Sequence, residues 1–137
     1  AMGEARGEHS WTRNARTPVS VNFTQRWYGS CDPSQTLLWP LDHRPRPLAF
    51  CSLAALADVF YPRVWLRRAV HVPAGTVSIT VYFHASPQHL AAAGDGYLLG
   101  QARAQEFRNG FFDQTGQLWS TDGTLLATTH QIVYFKE

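Results

Sequence analysis

Three short turns in the second half of the chain constrain its fold more than any other feature. They are Gly94-Asp95-Gly96, Asn109-Gly110 and Asp122-Gly123, and they separate segments rich in apolar and β-branched residues. Asn-Gly and Asp-Gly steps between such segments are typical of β-hairpins. Strands joined by so few residues must run antiparallel, because a parallel crossover needs roughly a dozen residues or more. The sequence therefore predicts antiparallel strands over residues 97–107, 111–120 and 124–135, the second of them interrupted at Thr115-Gly116.

The segment TVSITVYFHAS, which begins at Thr76, has the clearest alternation in the chain. A strand over this segment places apolar side chains on one face, namely Val77, Ile79, Val81, Phe83 and Ala85. The opposite face then carries Thr76, Ser78, Thr80, Tyr82 and His84. Further upstream, residues 17–28 also predict a strand. Three prolines over residues 36–47 favour an irregular connection there.

The segment PLAFCSLAALADVFYP predicts one long helix over residues 47–62. Pro47 can occupy its first turn and Pro62 can end it. Leu53, Leu56 and Phe60 recur at helical spacing, which is typical of a core-facing stripe. The neighbouring face carries small residues, among them Cys51, so we expect the helix to be buried on all sides.

Length and composition bound the class of protein. The 137 residues are 45% hydrophobic and 16% charged, which predicts one globular domain. No apolar run is long enough to span a membrane, and the first residues lack the apolar core of a signal peptide. The net charge of +2 is too small to indicate nucleic-acid binding. Two cysteines without a disulfide or metal pattern favour a reducing, cytoplasmic compartment.

Histidines can serve as metal ligands or general bases. His71, His84 and His130 show no short ligand spacing, so the sequence predicts no metal site, and no cofactor motif is present. The order of elements is a strand, a connection, a helix and four strands. This order predicts an α+β fold in which an antiparallel sheet of about five strands wraps round one long buried helix.

Three stretches carry a resemblance to a known family: LAALADVFYP, GTVSITVYFHA and DGTLLATTHQ. They resemble the C-terminal hotdog unit of the acyl-CoA thioesterase II-like family. The resemblance implies a single hotdog domain over residues 17–137. The first residues themselves indicate a flexible tail over residues 1–16 that begins with a cloning remnant. Members of that family commonly carry two hotdog units in one chain. The resemblance therefore implies a homodimer or a higher homo-oligomer.

In that family an Asp, a Thr and a Gln hold the water that hydrolyses the thioester. The resemblance assigns these roles to Asp58, Thr76 and Gln131. Each residue also has an ordinary structural explanation: Asp58 as a solvent-facing residue at a helix end, Thr76 as a β-branched strand residue, and Gln131 as an amide that ties strands together. Gln131 is unusual because it shares its register with Leu125, Ala127, Val133 and Phe135, and a buried amide must find hydrogen-bond partners.

Trp65, Tyr82 and His84 are weaker candidates for contacts with the substrate. Aromatic packing in the core or at an interface explains Trp65 and Tyr82 equally well, and a hydrogen-bonding role explains His84. Together these observations favour hydrolysis of an acyl-CoA or acyl-carrier thioester by an activated water. A non-catalytic hotdog module that binds thioesters or serves as a structural unit is the first alternative, because the residues after Gln131 depart from the family pattern. A hotdog dehydratase or isomerase is the second.

Overall fold

The computed structural model describes residues 9–10, 22–26, 35–41, 47–68 and 71–136. Within these residues there are eight strands and three helices. The strands are β1 (His9–Ser10), β2 (Asn22–Arg26), β3 (Gln35–Leu41), β4 (Ala74–Phe83), β5 (Leu98–Arg103), β6 (Phe107–Arg108), β7 (Phe111–Ser120) and β8 (Leu125–Phe135). The helices are α1 (Phe50–Leu56), α2 (Val64–Arg67) and α3 (Pro87–Ala93).

All the strands belong to one sheet with the order β1-β2-β3-β5-β7-β8-β4, and β6 pairs with β7. Every pairing is antiparallel. The Asn109-Gly110 and Asp122-Gly123 turns join antiparallel neighbours, as predicted. The hairpin predicted at Gly94-Asp95-Gly96 is wrong, because α3 lies between β4 and β5, and β4 pairs with β8 instead. The turn before β7 needs its Asn-Gly step, because Asn109 has φ 53° and Gly110 has φ 73°. The backbones also meet closely there, since the Phe135 N–H donates to the Gly110 carbonyl at 2.7 Å.

The core lies between α1 and the inner face of the sheet. Leu53, Leu56 and Phe60 are all buried, so the predicted stripe is confirmed. They pack against apolar side chains of the sheet, which include Leu98, Leu118 and Leu126. The Phe60 ring lies directly over Gly116 of β7: a Cβ atom at that position would sit 2.5 Å from Phe60 Cε2.

The long helix predicted over residues 47–62 is wrong in its length. Helix α1 covers seven residues, and it is buried on one face only, since Cys51 is exposed. After Leu56 the backbone tightens into turns, in which the Asp58 N–H donates to the Ala55 carbonyl and the Val59 N–H to the Leu56 carbonyl. These turns end the regular helix and carry Asp58 and Phe60 toward the sheet.

The irregular connection predicted over residues 36–47 is wrong over residues 36–41, which belong to β3, and residues 42–46 lie outside the described residues. Pro40 is tolerated there because β3 pairs with β5 only through Gln35 to Leu38. Pro40 therefore lies beyond the end of the β3–β5 ladder. Only the pairing with β2 has to accommodate a residue that has no backbone N–H. The strand predicted over residues 17–28 is observed as β2, and the rest of that range lies outside the described residues. So does the predicted tail, apart from His9 and Ser10, which form β1.

A β-bulge in β4 changes which side chains face the core. Thr76 pairs with Val133, whereas Ser78 pairs with Ile132, so Val77 is an extra residue between them. Residues directly across a ladder point to the same face of the sheet. The bulge therefore places Thr76 on the same inner face as Ile79, although strict alternation predicts opposite faces.

Replacement of Gly116 by alanine tests the packing of Phe60. The new methyl group would lie 2.5 Å from the Phe60 ring and 2.8 Å from Thr129 Cγ2, so one of these groups must move. We expect Gly116→Ala to lower the free energy of unfolding by about 1–3 kcal/mol, measured by urea denaturation. Gly75→Ala is the matched control, since no atom lies within 4 Å of the position that its methyl group would take. Equal stability of the two variants would contradict the close packing of Phe60 on β7.

Candidate active site

The structure brings together Asp58 and Gln131, which are 73 residues apart in sequence. Asp58 lies in the turn that follows α1, and Gln131 lies in the middle of β8 on its inner face. The Gln131 Nε2 group donates to Asp58 Oδ1 at 3.1 Å and to the Ala57 carbonyl at 3.4 Å. Gln131 is only 3% exposed, whereas Asp58 is exposed. In this pair the carboxylate of Asp58 faces solvent, and the buried amide of Gln131 donates a hydrogen bond to it.

Thr76 lies on the same face as this pair. Its cross-strand partner is Val133, which is two residues from Gln131 along β8, so Thr76 is a diagonal neighbour of Gln131. Among the hydrogen bonds of the described residues, none joins Thr76 to Asp58 or Gln131. The structure therefore links two of the three predicted residues directly and places the third at the edge of the same surface.

A second buried amide, Gln114, completes the connection beneath Asp58. Gln114 is 2% exposed and is the direct cross-strand partner of Gln131. Its Oε1 accepts from the Arg63 backbone N–H at 3.1 Å. Its Nε2 donates at 3.5 Å both to Gln131 Oε1 and to the Phe60 carbonyl. The two amides form one chain of hydrogen bonds from the backbone at Arg63 to the carboxylate of Asp58.

Sequence reasoning missed Gln114, although the signal is the same as for Gln131. It lies in register with Phe112 and Leu118, which are both buried. The Thr115-Gly116 step predicts an interruption of the strand. With the strand divided there, Gln114 is not recognised as lying in the same apolar row as Phe112 and Leu118. β7 in fact runs unbroken from Phe111 to Ser120, and Gly116 is present because Phe60 leaves no room for a side chain.

The three weaker candidates do not join the pair. Tyr82 and His84 belong to the outer side of the sheet, where His84 Nε2 lies 3.0 Å from the Thr128 hydroxyl and Tyr82 is the cross-strand partner of Thr128. Trp65 donates from Nε1 to the Val72 carbonyl at 2.7 Å. Its ring packs against Tyr61, whose pKa is raised by burial. Trp65 is therefore held in a local aromatic cluster.

The outer face of the sheet carries a polar groove of about 640 Å³. Side chains from four strands line it, among them Tyr82, Arg103, Gln117 and His130. Asp58 and Gln131 do not contribute to it, because they belong to the inner side. The groove is therefore separate from the candidate site.

Two further features of the described residues bear on other functions. No three His, Cys, Asp or Glu side chains in this part of the chain are grouped so that they could hold a metal ion. None of the helices in the described segments is long and apolar enough to cross a membrane.

Apolar side chains flank the candidate site on the β4 side. Ile79 is the direct cross-strand partner of Gln131 and is 40% exposed. Phe83 is exposed on the same face, and its ring makes an edge-to-face contact with Phe50 at 5.4 Å between centroids. We call Phe50, Ile79 and Phe83 the apolar patch. It adjoins the Asp58–Gln131 pair and offers a surface for a hydrocarbon group or another protein unit.

Residues 2–135 match the profile of the family described as Acyl-CoA thioesterase C-terminal domain. A solved structure from Alicyclobacillus acidocaldarius, a conserved hotdog-fold protein of unknown function, is 40% identical with a TM-score of 0.73; the match covers 100% of this chain and 55% of that one. An acyl-CoA thioesterase II from Mycobacterium marinum is 14% identical with a TM-score of 0.63, over 99% of this chain and 59% of that one.

These comparisons confirm the predicted α+β hotdog fold. The chain spans a little over half the length of both matched structures. No curated protein matches the chain as a relative.

A charge placed at Gln131 tests the geometry of the pair. In Gln131→Glu the introduced carboxyl is buried beside Asp58, so its pKa in the folded state is raised above the unfolded value of about 4.3. The destabilisation is therefore absent below that unfolded value, grows as the pH rises from the unfolded pKa toward the folded one, and is constant above it. We expect a loss of about 3 kcal/mol in the free energy of unfolding at pH 7 and a much smaller loss at pH 4.

The matched control is Gln117→Glu, which places the same charge on the half-buried outer side of β7. Urea denaturation of both variants at the two pH values is the measurement. A loss for Gln131→Glu that does not change with pH would contradict the burial of this amide against a carboxylate.

Proposed function

The chain belongs to the acyl-CoA thioesterase C-terminal domain family, and on this premise we propose that it hydrolyses an acyl thioester with a water activated by Asp58. The observation that carries the proposal is the 3.1 Å hydrogen bond from Gln131 Nε2 to Asp58 Oδ1. It joins a carboxylate that solvent can reach to an amide that solvent cannot. A solvent-accessible carboxylate held in one orientation is suited to act as a general base toward a water molecule.

In this mechanism the Asp58 carboxylate accepts a proton from the water, and the water oxygen attacks the thioester carbonyl carbon. The tetrahedral intermediate then collapses, the carbon–sulfur bond breaks and the thiolate leaves. The acid product and the free thiol share the protons of the consumed water. Gln131 donates to the carboxylate and limits its rotation. Direct attack by Asp58 to form an anhydride is the covalent variant of the same proposal.

Thr76 is proposed to orient the water from the side of β4. Its hydroxyl belongs to the inner face because of the bulge at Val77, and it is exposed. A hydroxyl can accept from one water hydrogen and donate to another acceptor, which suits this role. Thr76 therefore assists the Asp58–Gln131 pair without contacting it directly.

The apolar patch is proposed to receive the acyl group of a CoA or acyl-carrier thioester. Ile79 places this surface immediately next to Gln131, so a bound acyl chain would bring its carbonyl end close to Asp58. Burial of a hydrocarbon chain on such a surface is favourable by about 25 cal/mol per Å² of apolar area.

A second copy of the chain is proposed to pair along β4, giving a homodimer or a higher homo-oligomer. β4 is the last strand of the sheet order, and Val77, Ile79 and Phe83 are 62%, 40% and 44% exposed. A ten-residue edge strand with apolar side chains is a template for pairing with another strand. The exposed free thiol of Cys51 fits the proposal of a reducing, cytoplasmic compartment.

A non-catalytic module that binds thioesters is the second candidate. It is favoured by the absence of a direct link from Thr76 to the pair within the described segments. It is also favoured by Val133 and Phe135, which follow Gln131 and are packed into an apolar cluster. Thioester binding without release of free thiol would distinguish this candidate from the hydrolase.

Removal of the charge at Asp58 tests the base. Asp58→Asn keeps an oxygen that can accept from Gln131 Nε2, so we expect an unchanged fold. The neutral amide cannot accept the proton, so kcat/KM for acyl-CoA hydrolysis should fall about a hundredfold. The assay follows free thiol, and Asp95→Asn in the exposed turn before β5 is the control. Full activity of Asp58→Asn would end the proposal.

Disruption of the β4 edge tests the pairing of two copies. We expect a solution mass near twice 15.4 kDa for the wild-type chain, measured by analytical ultracentrifugation. Val77→Lys should shift the particle toward the single-chain mass, because a charge on the apolar edge disfavours pairing. Leu66→Lys on α2 is a control at another exposed apolar side chain. A wild-type mass of one chain at every concentration would refute pairing through β4.

A further inference from the structure

We propose that Gln114 is a positioning residue that fixes which end of the Gln131 amide faces Asp58. The catalytic part of this inference rests on the proposed function, but the orientation of the two amides is a property of the folded chain alone. Within the described segments Gln114 makes no hydrogen bond to Asp58, so it would act only through Gln131. Its role is to set the direction of a hydrogen-bond chain that ends on the carboxylate.

The direction of this chain is set at its backbone end. The Arg63 N–H can only donate, so the atom of Gln114 that lies 3.1 Å from it must be the acceptor Oε1. The Nε2 group of Gln114 then faces the Phe60 carbonyl and Gln131 Oε1, which are both acceptors. The orientation of the Gln114 amide is thus fixed at both ends by backbone groups. The Arg63 N–H can only donate a hydrogen bond, and the Phe60 carbonyl can only accept one.

The orientation of Gln114 in turn fixes the orientation of the Gln131 amide. Its Oε1 receives the Gln114 amide, so its Nε2 must point the other way, toward Asp58 Oδ1 and the Ala57 carbonyl. Rotation of the Gln131 amide by half a turn would set Oε1 against these two acceptors and Nε2 against the Gln114 donor. Three favourable contacts would become unfavourable at once. The fixed donor at Arg63 therefore determines, through two amides, that a donor faces the carboxylate.

Burial makes this orientation persistent. Gln114 and Gln131 are 2% and 3% exposed, so water cannot replace a lost partner. An exposed glutamine would rotate freely and offer either end to Asp58. The Gln131 Nε2 group therefore stays directed at Asp58 because both amides are buried.

The groups of this hydrogen-bond chain come from two parts of the fold, the β7–β8 ladder and the segment that follows α1. Gln114 and Gln131 are opposite one another on β7 and β8, which fixes their spacing through the ladder. The Phe60 carbonyl and the Arg63 N–H belong to the segment that leaves α1 and crosses over these strands. Gly116 allows this crossing, because the Phe60 ring occupies the space of its missing side chain.

A purely structural role for Gln114 makes a different prediction. In that case its only task is to accept from the Arg63 N–H and fill the core, and its loss would weaken the protein without regard to Gln131. The two roles are separated by a double-mutant cycle, because a residue that acts only through Gln131 loses its effect when Gln131 is already gone.

The experiment compares wild type, Gln114→Met, Gln131→Met and the double variant in the thioesterase assay. Methionine keeps the length of the side chain and removes both the donor and the acceptor. We expect each single variant to lower kcat about tenfold with KM unchanged, and the double variant to match Gln131→Met. Effects of the two substitutions that multiply in kcat would overturn the positioning role. Gln117→Met on the outer side of β7 is the control and should keep wild-type kcat.

A second measurement requires neither activity nor a stable variant. In wild-type protein labelled with ¹⁵N and ¹³C, the Gln131 side-chain NH₂ protons should show nuclear Overhauser contacts to the Asp58 β-protons and slow exchange with water. Rapid exchange, or contacts from the Gln131 NH₂ to the Gln114 side chain in place of Asp58, would overturn the assigned direction. If these contacts are found but no thioester is hydrolysed, the proposed function fails and the amide orientation stands.

Discussion

The register between β7 and β8 is the constraint on which the candidate site depends. It places Gln114 opposite Gln131 and Gly116 opposite Thr129, so one row of the inner face carries both amides and the next row leaves room for Phe60. The turn between the strands and a β-bulge at Leu126, opposite the step from Leu118 to Trp119, together fix this register. Gly123 has φ 87°, and Asp122 accepts from the Ser120 hydroxyl and from the Thr124 N–H, bonds that hold the pKa of Asp122 below its usual range. A slip of β8 by one residue would turn Gln131 to the outer face and separate it from Gln114.

The segment after α1 supplies the other half of the site. A longer helix would carry Asp58 and Phe60 round a helical surface. The tight turns after Leu56 instead deliver three features to the sheet: the Ala57 carbonyl, the Asp58 carboxylate and the Phe60 ring. The carboxylate stays exposed while the neighbouring Ala57 is fully buried. The site therefore lies where an apolar core meets solvent, which suits the proposed hydrolysis.

The sequence predicted the structure best where short-range geometry permits only one local conformation. The Asn109-Gly110 and Asp122-Gly123 turns, the antiparallel pairing of the strands that they join and the burial of Leu53, Leu56 and Phe60 follow from short-range constraints, and they are confirmed. The turn at Gly94-Asp95-Gly96 does not join two strands, because α3 precedes it. The polar residue in an apolar row pointed to Gln131 for the same reason. The length of α1 could not be predicted, because contacts with the sheet, and not helix propensity, decide where it ends. The bulge at Val77 was equally hidden, since the alternation of β4 continues through it without any local signal.

Family resemblance added what local patterns could not, because the three candidate residues come from three separate elements. The structure joins Asp58 to Gln131, adds Gln114 beneath them and leaves Thr76 at the margin of the same surface. Tyr82 and His84 belong to the outer side of the sheet, where the His84 imidazole is satisfied by another contact. The inner face of β4 is thus the more informative place to look for substrate and partner.

The Asp58–Gln131 pair is proposed to support turnover and not only binding. The most direct measurement is the release of free thiol from a panel of acyl-CoA esters by the wild-type chain, with binding followed in parallel by calorimetry. We expect saturable, catalytic release of thiol from at least one acyl class. Tight binding of the esters with no release above the uncatalysed rate would contradict the role of Asp58 as a base.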